Sequence, residues 1–215
     1  MQKKTYAVLG LGRYGTAVAK ELVKNGADVI AVDKNEQIVQ DSSVYLPICK
    51  CADITDPEVI SELGISNADV VIVAMASSLE GSILAITLCK EAGVKTVIAK
   101  CANETHRKIL KRVGADTVVF PENESGTRLA KNLLTSGFTD VLTLSDDLSL
   151  VELAARDEWV GKSLKELNLR KKYTVNVVAF RKNGKITAPV NPEELLDKDT
   201  EIIAIVNPAK LSKLK

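Results

Sequence analysis

The residues with the clearest chemical potential stand near the start of the chain. Gly10-Leu11-Gly12-Arg13-Tyr14-Gly15 is a G-x-G-x-x-G that follows the apolar run Tyr6-Ala7-Val8-Leu9 and opens an amphipathic stretch. At that spacing the first glycine permits a tight turn, the second lets a pyrophosphate reach the backbone, and the third lets helix and sheet pack closely. A helix starting there turns unpaired N–H groups and its positive dipole end toward phosphate. Asp33 follows Gly15 by 18 residues and closes the run Val29-Ile30-Ala31-Val32, the place from which a carboxylate accepts ribose hydroxyls. Together these residues predict a nucleotide site.

Other side chains are candidates with two readings each. Arg13 sets a permanent cation at the mouth of the cradle, where a polyphosphate would gain charge-assisted hydrogen bonds; a solvated surface arginine is the alternative. Asp53, just after the third strand-like run, suits either the adenine end of a nucleotide or a helix cap. Glu122 follows the sixth run, on the side where open α/β sheets hold ligands. A carboxylate there repels phosphate unless a cation bridges the two, and a helix-start acid beside Asn123 and Ser125 is the other reading. Cys49 and Cys51 flank Lys50, but residues two apart in a strand share a face, and a C-x-C alone lacks the second ligand pair of a zinc site. Cys49, Cys51, Cys89 and Cys101 are therefore expected to pack. His106, the only histidine, has no partner for triad or metal chemistry and reads as a solvated helix residue. Without that partner, and without a Tyr-x-x-x-Lys pair, a nucleotide is more readily sensed here than consumed. A small NAD-dependent oxidoreductase is the competing class.

The elements that must position these groups alternate regularly. Apolar runs at Tyr6–Leu9, Val29–Val32, Pro47–Cys51, Val70–Ala74, Thr96–Lys100 and Asp116–Phe120 are separated by amphipathic stretches that stop at Asn25-Gly26, Gly64, Gly93 and Gly114. Asp56-Pro57 reads as an N-cap with proline in the first turn. Val70–Ala74 is apolar on both faces, as in a parallel strand covered on both sides. Six strands with five helices between them predict an α/β class, a doubly wound parallel Rossmann sheet. A further helix through Arg128, Leu129, Leu133 and Leu134 is expected to stop at Gly137. Beyond Ser145-Asp146-Asp147 the texture changes: Val175–Arg181, Asn183-Gly184 and Lys185–Ala188 read as a hairpin, Asn191-Pro192 and Asp197-Lys198-Asp199 as turns, and Glu201–Val206 as a last strand. The expected organisation is a Rossmann domain over 1–135, a hinge over 136–147, and a small C-terminal α+β subdomain over 148–215.

Composition limits the function classes. The chain has 215 residues, 46% hydrophobic and 27% charged, with 29 Lys and Arg against 28 Asp and Glu for a net charge of +1. That balance argues against bulk electrostatic capture of DNA or anionic lipid; a nucleic-acid partner is not expected, and no helix-turn-helix pattern supports one. No apolar run reaches the roughly 18–20 residues of a membrane span, the N-terminus does not read as a signal peptide, and four cysteines are too few for a disulfide scaffold of this size. A cytoplasmic protein is expected.

The stretch Val8–Gly15 with Arg13, then Asp33, Asp53, Ile109-Leu110-Lys111-Arg112-Val113-Gly114-Ala115-Asp116 and Phe120-Pro121-Glu122, resembles the RCK-domain regulatory subunits of bacterial Ktr/Trk potassium uptake systems over nearly the whole chain. The resemblance implies dimers that build an octameric ring beneath a membrane potassium-translocating partner, held at the inner face of the membrane through that partner. It implies a pocket for ATP or ADP, with NAD(H) bound by some relatives. Arg13 matches an arginine that contacts phosphate, also across the subunit interface; Asp33 matches the ribose acid, Asp53 the adenine-side acid, and Lys100 lies near the phosphates. Glu122 matches a glutamate that helps hold a divalent or monovalent cation there. Gly10, Gly12, Tyr14, Gly15 and Lys34 complete the implied cofactor-binding set. In some members a C-terminal dimer interface binds cyclic di-AMP. Leu164, Asn168, Arg170, Asn176, Val177, Val178 and Pro189 follow that motif's order, with Lys165 in place of an aliphatic and Asn168 in place of an acid.

Overall fold

The computed structural model describes residues 4–134, 140–145, 147–207 and 209. The chain divides into two compact units, Met1–Glu122 and Asn123–Lys215. In chain order the first contains β1 (Thr5–Leu9), α1 (Arg13–Lys24), β2 (Asp28–Asp33), α2 (Glu36–Ser43), β3 (Ile48–Cys51), α3 (Pro57–Glu62), β4 (Val70–Val73), α4 (Leu79–Glu91), β5 (Thr96–Lys100), α5 (Glu104–Arg112) and β6 (Thr117–Val119). Helix α6 (Pro121–Leu134) follows.

The six strands form one parallel sheet in the order β3-β2-β1-β4-β5-β6, the doubly wound arrangement the alternating pattern predicts. Strands with no polar face explain it. Ala7, Leu9, Val71, Val73, Val97 and Ala99 are buried on one side with Ile60, Ile65, Ala85, Ile86, Cys89 and Leu110 of the covering elements. Val8, Ala31 and Ile72 are buried on the other side with Leu11 and Ala19. Each large side chain lost from such a core costs about 2–5 kcal/mol. Helix ends fall where the punctuation placed them. Asp56 caps α3 by accepting from the Glu58 amide, and Gly26, Gly64, Gly93 and Gly114 follow helices with positive φ.

The second unit carries β7 (Asp140–Thr143), β8 (Ser149–Ala154), α7 (Leu164–Leu167), α8 (Leu169–Tyr173), β9 (Asn176–Lys182), β10 (Lys185–Thr187) and β11 (Glu201–Val206). They form an antiparallel sheet in the order β10-β9-β11-β8-β7, the smaller α+β unit expected. Asn183 and Gly184 both have positive φ, as the two-residue hairpin turn requires. Its core is Val151, Leu153, Trp159, Phe180, Ile202, Ala204 and neighbours. Residues 140–143, read from sequence as part of a hinge, form β7 and pair antiparallel with β8. The expected stop at Gly137 and the polar residue Asp146 lie outside the described residues.

The cysteine expectation divides. Cys89 and Cys101 are fully buried, and burial pushes the Cys89 thiol up to about 12. Cys49 is half-buried, but Cys51 is exposed: β3 is the edge strand of its sheet, so its end has no neighbour to cover it. His106, expected in solvent, is half-buried on α5.

Candidate nucleotide-binding site

The glycine-rich turn joins β1 to α1, and the packing shows why its residue types matter. Gly10 has φ of +96°, and a Cβ there would stand 2.8 Å from the Met75 Cγ. At Gly15 a Cβ would stand 1.9 Å from the Gly10 carbonyl oxygen, so α1 can lie this close to the turn only with glycine in its first turn. Gly12 is the N-cap of α1, and no side chain caps it. A Cβ at Gly12 would meet nothing within 4 Å, so the helix end opens on empty space. No acidic residue stands in the first turn of α1, which leaves its dipole end uncompensated by a carboxylate of its own helix.

Asp33, at the end of β2, ties this turn to the sheet. Its Oδ2 accepts from the Leu11 amide at 2.7 Å, and its Oδ1 accepts from the Asn35 amide at 2.9 Å. Main-chain bonds align the neighbouring strand ends: the Gly10 amide donates to the Val32 carbonyl at 2.8 Å and the Ala74 amide to the Leu9 carbonyl at 2.7 Å. The strand order reverses between β1 and β4, and the crevice beyond such a switch point is where open α/β sheets take ligands.

A cleft of about 520 Å³ lies there. Gly10, Gly12, Asp33, Lys34 and Asp53 all line it. Asp53 is exposed, and its Oδ1 accepts from the Thr55 hydroxyl at 2.7 Å and the Thr55 amide at 3.0 Å. Those bonds, the hydroxyl first, hold its carboxyl below the usual range. Asp53 thus shapes its own turn, while Asp56 caps the helix.

A second group of candidates stands apart from the cleft lining. Lys100, at the end of β5, binds the Glu122 carboxylate at 2.6 Å, and that bond lowers the Glu122 pKa. The same ammonium lies 5.6 Å from the centroid of the Tyr14 ring, which links the pair to the first turn of α1. Arg13 is exposed in that turn. Among the described residues no group of three or more His, Cys, Asp or Glu is close enough to hold a metal; a cation at Glu122 would need most of its oxygens from elsewhere.

Sequence reasoning missed the far wall of the cleft. Ala74, Met75, Ser77 and Ser78 of the β4–α4 connection line it with Glu80 and Gly81 of the first turn of α4. Ser78 caps α4 by accepting from the Gly81 amide at 3.0 Å. The signal was present: the strand order puts the loop after β4 directly across the switch point from the glycine-rich turn.

A family model described as the TrkA-N domain matches residues 6–121, and one described as the TrkA-C domain matches residues 148–215. The chain belongs to the TrkA-N/TrkA-C family. It is an RCK-domain protein homologous to the regulatory subunits of bacterial and archaeal Ktr/Trk potassium uptake. The Ktr system potassium uptake protein C of Bacillus subtilis is 34% identical over 213 residues, covering 99% of this chain and 96% of the relative. The corresponding protein A of Vibrio alginolyticus is 33% identical over 213 residues, covering 99% of this chain and 97% of that one. A solved structure described as the GsuK channel bound to NAD shares the fold, with a TM-score of 0.67 and 18% identity over all of this RCK chain and 39% of its own length.

The RCK chain places the seven C-terminal candidates on α7, α8, β9 and the stretch after β10. Asn168, Arg170, Asn176 and Pro189 are exposed. Leu164 and Val177 instead pack against the core of the second unit. Ile203 pairs with Ala179 and Ala204 with Val177, so Val178 is the extra residue of a β-bulge. Asn168 joins α7 to α8 in the left-handed region at φ 50°. Asparagine tolerates that conformation better than most side chains, which accounts for it without a ligand.

Proposed function

We propose that this chain is a nucleotide-sensing regulatory subunit that gates a membrane potassium-translocating partner. The observation that carries the reading is the uncapped end of α1 at Gly12, opening on a cleft across from Asp33 in a TrkA-N domain. Membership of a family of regulatory subunits supports a non-enzymatic role at the cytoplasmic face of the membrane, reached through the partner. No helix among the described residues is long and apolar enough to cross a membrane.

The adenine nucleotides ATP and ADP are the proposed ligands, and NAD(H) is the variant that the NAD-bound GsuK channel suggests. The chain's residues fit such a ligand. The α1 amides face the phosphates, Asp33 accepts ribose hydroxyls, Asp53 and Ala52 flank the base, and Lys34 offers a cation at the rim. Tyr14 and Lys100 stand at the phosphate end, where the Glu122 carboxylate would help hold a cation that neutralises phosphate charge.

Gating follows from differential affinity for two states. Arg13 of a neighbouring subunit reaches the terminal phosphate of ATP and has no such partner in ADP. A charge-assisted bond contributes about 2 kcal/mol, enough to move a balanced two-state equilibrium to roughly 30:1. Helix α6 is the proposed subunit contact: none of its residues is buried within the chain, and Leu129, Leu133 and Leu134 are all more than half exposed. Dimers built on that face assemble into an octameric ring. The sensing domain is proposed within residues 1–135 and the second domain within 148–215, preceded by β7, which already belongs to its sheet; cyclic di-AMP is proposed to bind there at Arg170 and its neighbours.

The test is light scattering and small-angle X-ray scattering of the purified chain with ATP and with ADP, alongside Arg13→Ala. An eight-subunit ring whose shape differs between the two nucleotides, and no longer differs in the variant, is expected. A ring that changes shape equally with Arg13 absent contradicts the gating mechanism.

A further inference from the structure

Two helices bring their N-terminal ends to the cleft, and the chemistry of those ends is opposite. The end of α1 is uncapped and has no acid in its first turn. The end of α4 is closed by its own Ser78, which accepts from the Gly81 amide at 3.0 Å, and it carries Glu80 in its first turn. Phosphate gains at the first end and is repelled at the second. The connection into α4 is also held in place. The Ser82 hydroxyl shares its proton between the Met75 carbonyl at 2.9 Å and the Ser78 carbonyl at 2.8 Å.

Glu80 and Leu84 both line the cleft, since residues four apart on a helix share a face. Helices α3 and α4 are in contact, and Leu79 and Ile83 of α4 pack on the core cluster that holds Ile54, from the connection between β3 and α3. The start of α4 and that connection therefore wall one end of the cleft. Ile54 and Leu84 line it with Ile38 of α2. A flat heteroaromatic base fits aliphatic walls of this kind with its faces and needs polar partners only at its edge. Two acids stand ready there. Asp53 commits its Oδ1 to the Thr55 hydroxyl and amide. The Glu80 carboxylate is exposed and has no hydrogen bond or ion pair among the described residues.

We propose that Glu80 is a specificity-determining residue that accepts a hydrogen bond from the exocyclic amino group of an adenine base. The proposal rests on the reading of the cleft as a nucleotide site. A carboxylate accepts hydrogen bonds and donates none. A base with a carbonyl where adenine has its amino group turns one acceptor against another. A base with only hydrogen at that position leaves the carboxylate without a partner. Adenine alone of the three gives Glu80 a donor, and the bond is charge-assisted. The two helix ends thus orient the ligand: phosphates at α1, where no acid opposes them, and the amino edge of the base at α4.

The test is calorimetric titration of the purified full-length chain with ATP, with GTP, and with purine riboside triphosphate, the analogue of ATP that has hydrogen in place of the amino group. The parent chain is expected to bind ATP about 10-fold more tightly than the analogue, the low end for a hydrogen bond to a charged group. GTP, with a carbonyl at that position, is expected to bind no better than the analogue. Glu80→Ala should lower the affinity for ATP to that for the analogue and leave the analogue nearly unaffected. Glu80→Gln, whose carboxamide oxygen still accepts, should restore part of the preference. A general electrostatic or structural role would move ATP and the analogue together and keep their ratio, and that result overturns the proposal. Equal binding of the two by the parent, or tighter binding of GTP than of ATP, overturns it as well. A parent chain that binds none of the three removes the reading of the cleft itself, whereas ATP bound with no preference over the analogue removes only the role of Glu80.

Discussion

Replacing Asp33 with asparagine separates what this residue does for the fold from what it does for a ligand. The carboxylate accepts one backbone amide on each oxygen, Leu11 at 2.7 Å and Asn35 at 2.9 Å. An asparagine of the same shape has one acceptor, so one of these amides must face an NH₂ group. Losing a hydrogen bond to a charged acceptor costs about 1.5–3 kcal/mol. At roughly 2–4 °C per kcal/mol for a chain of this size, the melting temperature of the free protein should fall by about 3–12 °C. Binding is lost independently, because the same carboxylate accepts ribose hydroxyls in the proposed complex. A further 1.5–3 kcal/mol lowers ATP affinity by about 10- to 150-fold. Thermal unfolding without ligand and calorimetric titration with ATP, both on Asp33→Asn, read the two effects. A melting temperature within 1 °C or so of the parent refutes Asp33 as the anchor of the turn. A destabilised protein with undiminished ATP affinity refutes it as the ribose acceptor.

Gly15→Ala should be the harsher change to the same turn, since its Cβ would fall 1.9 Å from a backbone oxygen; a loss of about 3 kcal/mol or more is expected by chemical denaturation, and a normal midpoint would show that α1 can retreat. Asp116 accepts from the Lys90 ammonium and the Val97 amide, both at 2.6 Å, and those bonds hold its carboxyl below the usual range. Its folded pKa is therefore below its unfolded one, so the stabilisation is complete above the unfolded value and is lost as pH falls through the folded one. The site is partly exposed, which keeps the contribution under about 1 kcal/mol; Asp116→Asn should flatten the acid limb of the stability profile, and an unchanged limb would contradict the assignment. Leu129→Glu with Leu133→Glu should dissociate the oligomer in light scattering while leaving the melting of the separated chain within about 1 kcal/mol, since both side chains are exposed within the chain; an intact ring would place the contact elsewhere.

The first unit was legible because its signals are local and repeated. Strands buried on both faces read as unbroken apolar runs, and glycines with positive φ end the intervening helices. The glycine-rich turn, Asp33 and Asp53 fall at strand ends that the parallel sheet must gather on one side, so the sequence order alone brings them together. The loop after β4 and the start of α4 escaped notice because Ser77, Ser78 and Glu80 form no motif; only the strand order gives them their place. The second unit was read less fully. Strands β7 and β8 form a hairpin whose turn runs through Ser145 and Asp147, and that polarity reads equally well as a hinge. Helix α7 did have a signal, Ser163 three residues before Glu166: the structure closes this as a capping box. The bulge at Val178 has no sequence signature, because it arises from the mismatch of β9 against β11 rather than from its own side chain. Edge exposure of Cys51 likewise depends on β3 lying outermost, which the alternation of elements does not specify.

In the proposed complex the cleft beside Gly12 and Asp33 binds a nucleotide, with the phosphates at the end of α1. Calorimetric titration of the purified chain with ATP, ADP, NADH and NAD, each with and without a divalent cation, tests it most directly. Saturable binding of ATP and ADP is expected, with a cation effect specific to ATP that is lost in Glu122→Gln, and weakened binding of both in Asp33→Asn. Selective binding of NADH with no response to ATP would contradict the proposed ligand, and heat-silent titrations with all four would contradict the site.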